Sequence, residues 1–240
     1  MFDFHTHILP QIDDGSRSVQ QSLAMLKELQ NQQIEFVVAT PHFDLDECSL
    51  NAFLRKRKKA FQSLWEEPGN LSTLPQVILG AEVVFYDNFF YMIEGLESLC
   101  IGDTHYMLLE LSTEALTESI LTGLNNLILS RGIIPIIAHA ERYWSWRSTV
   151  KNMKLLTEIG ALIQMNAEFV LQPFTRKRAL GLIQEGVIHV LGSDCHNMSS
   201  RKPNIGLAYQ HIRNKLGSKA IQRLTKNGQQ ILKNRSLSTR

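Results

Sequence analysis

The chain has too few cysteines for a disulfide framework and no apolar run long enough to cross a bilayer, and from Asn197 onward it has no acidic residue. Each shortage excludes something. Three cysteines cannot form a closed set of bridges, so the core must come from packing, and a reducing cytoplasm is the expected compartment. No stretch approaches the roughly 18 apolar residues of a membrane span, and the opening MFDFHTHILP lacks the basic and apolar regions of a signal peptide. No repeat, low-complexity block or long linker divides the 240 residues, a length that one α/β domain can fill, so a single domain over 1–240 is expected.

What charge there is lies unevenly. The net charge is only +2, yet ten Lys or Arg residues fall between Asn197 and Arg240. A basic helical segment is expected from about residue 206. A solvated helix face with a frayed tail explains it, and a patch for an acidic partner, lipid or nucleic acid is the alternative. RKRKK at 55–59 also reads as a solvated helix face, with Phe53, Leu54, Ala60, Phe61 and Leu64 as its apolar positions. No aromatics are interleaved with these charges as a single-strand-binding groove requires, so no nucleic acid is expected.

Short apolar runs alternate with longer stretches of helical period. Met1 to Phe4 is followed by Val19, Leu23, Leu26 and Leu29 at helical spacing. IEFVVATPH, QVILGAEVVF, THYMLLELS, GIIPIIAHAE, ALIQMNAE and VIHVLGSDCH then read as strands, making seven β/α units. Near-continuous apolar strands separated by helices imply a parallel sheet covered on both faces. An irregular, distorted seven-stranded (β/α)7 barrel related to the TIM barrel is expected, because polar residues collect at the strand ends, where such barrels carry their chemistry.

Those ends hold a recurrent pattern. His5 and His7 are spaced to point to one side of an extended segment, and Asp194 and His196 repeat the spacing. Between them His42 follows VVATP, Glu82 follows VILGA, Glu110 follows YMLL and His139 follows PIIA. Gathering these groups without counterions would cost several kcal/mol for each unpaired charge. Divalent ions remove that cost. Mixed imidazole and carboxylate donors suit Mn, Fe(II), Zn or Co better than Ca, and their number implies two or three ions. Ions about 3.5–4 Å apart can bridge a hydroxide and hold phosphoryl oxygens, which points to phosphoester hydrolysis.

FHTHILPQIDDG, ATPHF, GAEV, LLELS, AHAERY and GSDCHNMSSR, in that order to about residue 205, resemble the successive motifs of the polymerase and histidinol phosphatase superfamily. They are most similar to the manganese-dependent bacterial protein-tyrosine phosphatases of capsule and exopolysaccharide gene clusters. The resemblance implies a distorted seven-stranded barrel and three divalent ions, with manganese preferred over iron, cobalt, zinc or magnesium. One ion would be held by His5, His7, Glu82 and Asp194, a second by Asp14, His42 and His196, and a third by Glu110 and His139 along with a bridging Glu82. From the sequence alone DDG is a turn or helix entry in which Asp13 competes with Asp14. The family usually has proline at Ala140 and a small residue at Cys195.

Arg142 and Arg201 also leave strand ends on the active face, where a guanidinium fork binds phosphate oxygens, and they match the family's phosphate-binding pair. The implied chemistry is a metal-bridging hydroxide attacking phosphorus, with a phosphotyrosine protein, plausibly a bacterial tyrosine kinase of polysaccharide export, as substrate. A homo-oligomer is compatible with the sequence. Asn166 and Glu168 either line the pocket or form a turn, and Tyr143, Trp144 and Trp146 either border an aromatic substrate or pack. Rival readings are a histidinol-phosphatase-like small-molecule phosphoesterase, a non-catalytic barrel, and a nucleic-acid phosphoesterase supported only by the basic C-terminus. Cys195 and Arg201 have the Cys-x5-Arg spacing of cysteine-dependent phosphatases, but no glycine stands between them to wrap a phosphate loop. Packing on the outer side of the strand is the expected role of Cys195.

Overall fold

The alternation of short β-branched runs with amphipathic stretches folds as strand followed by helix along most of the chain. The computed structural model describes residues 1–66, 71–86, 90–111, 115–143 and 146–237. In order the elements are β1 (Phe2–Thr6), α1 (Val19–Asn31), β2 (Phe36–Ala39), β3 (His42–Phe43), α2 (Leu50–Trp65), β4 (Gln76–Leu79) and β5 (Glu82–Phe85). They continue as β6 (Tyr106–Leu111), α3 (Glu118–Arg131), β7 (Ile134–Ile137), α4 (Trp146–Glu158), β8 (Leu162–Asn166), α5 (Ala167–Leu171), α6 (Pro173–Glu185), β9 (Val190–Gly192), α7 (Ile205–Leu216) and α8 (Ser218–Leu232). Side-chain caps begin the first three helices: Ser18, Ser49 and Thr117 accept the N–H groups of Gln21, Ala52 and Ile120.

Every strand pairing is parallel. Two sheets result, ordered β1-β2-β4 and β3-β5-β6-β7-β8-β9. The parallel α/β class is as expected, but the ladders trace short strands in two sheets, not one closed barrel of seven. The reason is local: two of the expected strands break, at Thr40–Pro41 and at Gly80–Ala81, and Pro41 has no N–H to continue a ladder. Across the breaks Thr40 N–H donates to Thr6 O at 2.8 Å and Glu82 N–H to Pro41 O at 3.1 Å. Past the far end of the second sheet, Thr6 bridges Cys195, Asp194 N–H donates to His5 O at 2.8 Å, and His7 N–H donates to Cys195 O at 2.9 Å.

The strands separate two apolar clusters. The larger lies against the helices and includes Met25, Leu29, Phe43, Leu109, Leu127, Met165 and Ile183. The smaller gathers alternate residues of six strands, among them Phe2, Phe4, Val38, Tyr106, Leu108, Ile136, Leu162 and Val190, and Ile231 of α8 packs into it. Burying each such side chain contributes roughly 1.5–3 kcal/mol.

Two expectations about charge are corrected. Arg57 is not on a solvated face: it is buried and donates to Gly80 O at 2.7 Å and Ser98 O at 2.8 Å, satisfying carbonyls beside the β4–β5 break. The C-terminal segment forms α7 and α8, and residues up to Arg235 are tied to the strands, not a frayed tail. Tyr209 donates to Phe2 O at 3.0 Å, Asn227 to His189 O at 3.0 Å, and Tyr106 to Arg235 O at 2.8 Å. The apolar face of α8, Ile221, Leu224 and Ile231, drives this docking, leaving the lysines to solvent.

Candidate metal centre

Parallel strands bring their C-terminal ends to one side, and there the nine candidate ligands meet. His5 lies in β1 and His7 just after it, His42 begins β3, Glu82 begins β5, Glu110 lies in β6, His139 follows β7, and Asp194 and His196 follow β9. Asp14 arrives on the loop after β1. That loop folds back tightly: Ser16 N–H donates to His7 O at 3.0 Å, and a Cβ on Gly15 would stand 2.3 Å from the same oxygen, so only glycine fits.

Glu82 is the hub. Its Oε2 lies 2.9 Å from His5 Nε2, 3.2 Å from His7 Nε2 and 3.2 Å from His42 Nδ1, while Oε1 lies 2.8 Å from His139 Nε2. Asp194 Oδ1 is 3.6 Å from both His5 and His7. Asp14 Oδ1 reaches His196 at 3.2 Å and His42 at 3.6 Å, and Glu110 Oε1 is 3.5 Å from His139. Donor atoms within 4.8 Å of one another fall into four overlapping groups: His7, Asp14, His42 and His196; His5, Glu82 and His139; His5, His7 and Asp194; His42, Glu82 and Glu110. All nine expected ligands are included. The groups overlap through His5, His7, His42 and Glu82, and Glu110 associates with His42 as well as with His139.

The charges are arranged to hold one another. Burial would raise the Glu82 carboxyl, but His5, His139 and His7 keep it well below the ordinary value. Burial would lower the His7 imidazole, yet Asp13 and Glu82 push it up to about 10. His196 behaves oppositely: burial, His7 and Arg201 bring it down to about 4. Two centres take backbone conformations that side chains rarely adopt, His139 with φ 31° and Asp194 with φ 54°. Each costs about 1–3 kcal/mol, a cost that tends to persist where chemistry needs the geometry.

These residues suit divalent ions. His5 Nε2 and His7 Nε2 face each other at 3.1 Å against the same carboxylate oxygen, and His196 Nε2, 3.2 Å from Asp14 Oδ1, is buried without a hydrogen bond. Converging lone pairs that lack donors are what a shared cation satisfies.

Asp194 joins this cluster to both arginines. Arg142 Nη2 donates to its Oδ2 and Arg201 Nη2 to its Oδ1, each at 2.7 Å. Beside them opens a cavity of about 300 Å³ that Asn166, Glu168 and Lys202 also line. Glu168 accepts from Asn204 at 3.1 Å, and Asn166 donates to Asp194 Oδ2 at 2.8 Å. Tyr143 is buried in the larger core behind His139, the packing alternative of the two. Trp144 lies outside the described residues, as does the side chain of Trp146.

Cys195 is fully buried in the helix-side core, and burial together with the nearby Asp3 charge pushes its thiol well above the ordinary value. Its side chain packs into that core, away from the cluster.

Three residues carry more of the site than sequence reading assigned to them. Asp13, left open against Asp14, stands behind the ligands: its Oδ2 accepts from His7 Nδ1 at 2.8 Å and from His42 N–H at 3.1 Å. Gln164 and Glu141 are not among the residues expected from the sequence. Gln164 alternates with Ile163 and Met165 in ALIQMNAE, a polar side chain in an apolar strand on the same side as Asn166, and that was the available signal. Glu141 is half-buried, accepts from Asn166 N–H at 3.1 Å, and is pushed up to about 7 by the desolvation of its carboxyl.

Fold and site together define a parallel α/β protein with a candidate metal centre of imidazoles and carboxylates at the strand ends, flanked by two arginines. The profile of the family described as capsular polysaccharide synthesis, CpsB/CapC, matches residues 1–233, and the chain belongs to that family. The tyrosine-protein phosphatase CpsB of Streptococcus pneumoniae is 32% identical, covering 93% of this chain and 94% of its own. Among solved structures, one from the work on YwqE of Bacillus subtilis and CpsB of Streptococcus pneumoniae, described as unique metal-dependent tyrosine phosphatases, superposes with a TM-score of 0.85. It is 26% identical and covers 99% of this chain and 96% of its own. A putative histidinol phosphatase from Listeria monocytogenes, 13% identical with a TM-score of 0.51, covers 82% of this chain and 95% of its own, and shares the fold.

Proposed function

We infer that this chain is a metal-dependent phosphomonoester hydrolase that dephosphorylates tyrosine in proteins, in the regulation of capsule or exopolysaccharide synthesis. The observation that carries this reading is Asp194, which touches the imidazole cluster on one side and holds both arginines at 2.7 Å on the other, at the wall of the cavity. The names of the family and its relatives support the substrate class.

In this reading His5, His7, Asp14, His42, Glu82, Glu110, His139, Asp194 and His196 hold three divalent ions, manganese foremost. When bound, the ions supply Lewis acidity and an activated water for attack on phosphorus. The chain's own residues do the rest. Arg142 and Arg201 present guanidinium forks to the non-bridging phosphate oxygens and stabilise charge as it builds there. Asp194 aims both forks. The phosphorus–oxygen bond to the tyrosyl ring breaks with water oxygen taking its place, and the leaving phenolate, with a pKa near ~10, needs less protonation than an alkoxide. Cys195 forms no bond to phosphorus.

The finer features belong to the same proposal. Hydrogen bonds from β1 to the Asp194–Cys195 segment support a seven-unit barrel drawn round the inner apolar cluster. A single domain over 1–240, a cytoplasmic setting and a bacterial tyrosine kinase of polysaccharide export as phosphoprotein complete it. No helix among the described residues is long and apolar enough to cross a membrane.

The test combines metal analysis with hydrolysis of a phosphotyrosyl peptide, histidinol phosphate and nucleotides. Bound divalent metal and preferential turnover of the peptide are expected. Turnover of histidinol phosphate alone would make it a small-molecule phosphatase, and a folded protein without metal or activity after manganese addition would make it a binding module.

A further inference from the structure

Gln164 is fully buried in β8, is neither among the residues that line the cavity nor one of the nine candidate ligands, yet its side chain contacts two of those ligands, His5 and His139. Its Oε1 accepts the His139 backbone N–H at 2.6 Å and lies 3.2 Å from His5 Nδ1. Its Nε2 donates to Asn166 Oδ1 at 2.9 Å, and Asn166 Nδ2 donates to Asp194 Oδ2 at 2.8 Å.

The direction of this chain is dictated by its ends. A backbone N–H can only donate, so the Gln164 atom facing His139 is the oxygen, and the amide nitrogen must face Asn166. Asn166 then turns its oxygen to Gln164 and its nitrogen to the carboxylate, which can only accept. With the Gln164 oxygen fixed, His5 must carry its proton on Nδ1 to donate to it. That leaves Nε2, which faces Glu82 Oε2 at 2.9 Å and the His7 ring, as the nitrogen whose lone pair would be offered to a bound ion.

Space for the arrangement is built in. A Cβ on Gly192 would stand 2.4 Å from His5 Cβ and 2.8 Å from Gln164 Nε2, so β9 carries a glycine where the amide and the imidazole pass. His7 has its own orienting partner in Asp13. Gln164 does the same for His5 and, through Asn166, reaches Asp194 and the arginines.

We propose that Gln164 is a positioning residue that sets the ring orientation and tautomer of His5 and couples it, through Asn166, to the Asp194 carboxylate that aims Arg142 and Arg201. It ties the metal-binding half of the site to the phosphate-binding half. The proposal rests on the metal reading above, and outer partners of ligating histidines are worth about 10–100-fold in metal affinity.

The experiment measures manganese and zinc affinity by chelator competition for the wild type, Gln164→Leu and Gln164→Glu, with thermal unfolding of the metal-free proteins alongside. Gln164→Leu is expected to bind at least one ion ~10-fold or more weakly. Gln164→Glu keeps an acceptor for His5, though not the donor to Asn166, and should lose clearly less affinity than Gln164→Leu. Equal affinity in wild type and Gln164→Leu overturns the proposal, as does an equal loss in both variants, because a packing role does not distinguish an acceptor from a methyl. Should Gln164→Leu fail to fold, nitrogen-15 spectra of histidine-labelled, zinc-loaded wild type decide: His5 protonated on Nδ1 supports the proposal and His5 protonated on Nε2 overturns it. A wild type that binds no divalent ion refutes the metal reading itself, which is a separate result.

Discussion

The two ends of the strands are made from the same alternation and have opposite chemistry. Along β6 the positions Tyr106, Leu108 and Glu110 recur at spacing two, along β8 Leu162, Gln164 and Asn166, and from β9 Val190, Gly192 and Asp194. The first of each triplet belongs to the inner apolar cluster that Ile231 of α8 joins, and the last faces the candidate metal centre or, for Asn166, the cavity beside it. One end can be apolar because a helix covers it. The other can gather imidazoles and carboxylates only because each charge has an opposite partner within hydrogen-bond reach, unpaired burial being too costly. Stability and chemistry are therefore separable along a single strand.

The sharpest way to break this contrast is Asp194→Ala. It removes a candidate ligand and frees both arginines, so kcat/KM for a phosphotyrosyl peptide should fall on the order of 10³-fold or more while circular dichroism stays native. At the covered end, Ile231→Ala should cost about 2–5 kcal/mol in urea unfolding and leave kcat/KM within about twofold. A larger loss of activity than of stability there would mean the ends are coupled.

His189, at the entry to β9, gives the covered end a pH signature. Burial, with Arg223 nearby, brings its imidazole down to about 4, and its Nδ1 accepts the Ile163 N–H at 3.0 Å. Because the folded value lies below the unfolded value near ~6.5, this contribution is complete above that pH and is lost as the pH falls toward 4. It amounts to about 3 kcal/mol at most. Urea midpoints between pH 7 and 4 should show the loss, and His189→Asn should flatten it.

Smaller effects sharpen the catalytic end. Arg201→Lys keeps charge but loses the fork, so KM should rise about tenfold with kcat changed less. Cys195→Ala should change kcat/KM least of all and cost only about 1 kcal/mol or so of stability. A folded, metallated but inactive Cys195→Ala protein would return the thiol to the chemistry.

Much of the site was legible because its residues interrupt apolar runs. A histidine or carboxylate at the end of a β-branched strand is conspicuous, and the repeated spacing of His5 with His7 and Asp194 with His196 made the pattern stronger than any one residue. Residues that act behind the ligands were less legible. Nothing in DDG distinguishes Asp14, which faces His42 and His196, from Asp13, which holds His7 from the rear. Arg57 read as one of five cations on a helix, since its two carbonyl partners lie at Gly80 and Ser98.

By itself the sequence determined the parallel α/β class and the residue types at the strand ends, because hydrophobic periodicity and the cost of buried charge act locally along the chain. Only the tertiary structure decided which atoms meet: Glu82 at the hub, Asp194 between cluster and arginines, Gln164 behind His5, and Cys195 turned into the core. Those relations join residues as far apart as His5 and Gln164, 159 positions along the chain. They depend on strand order, on the breaks at Pro41 and Gly80, and on two left-handed backbone turns, none of which a local pattern specifies.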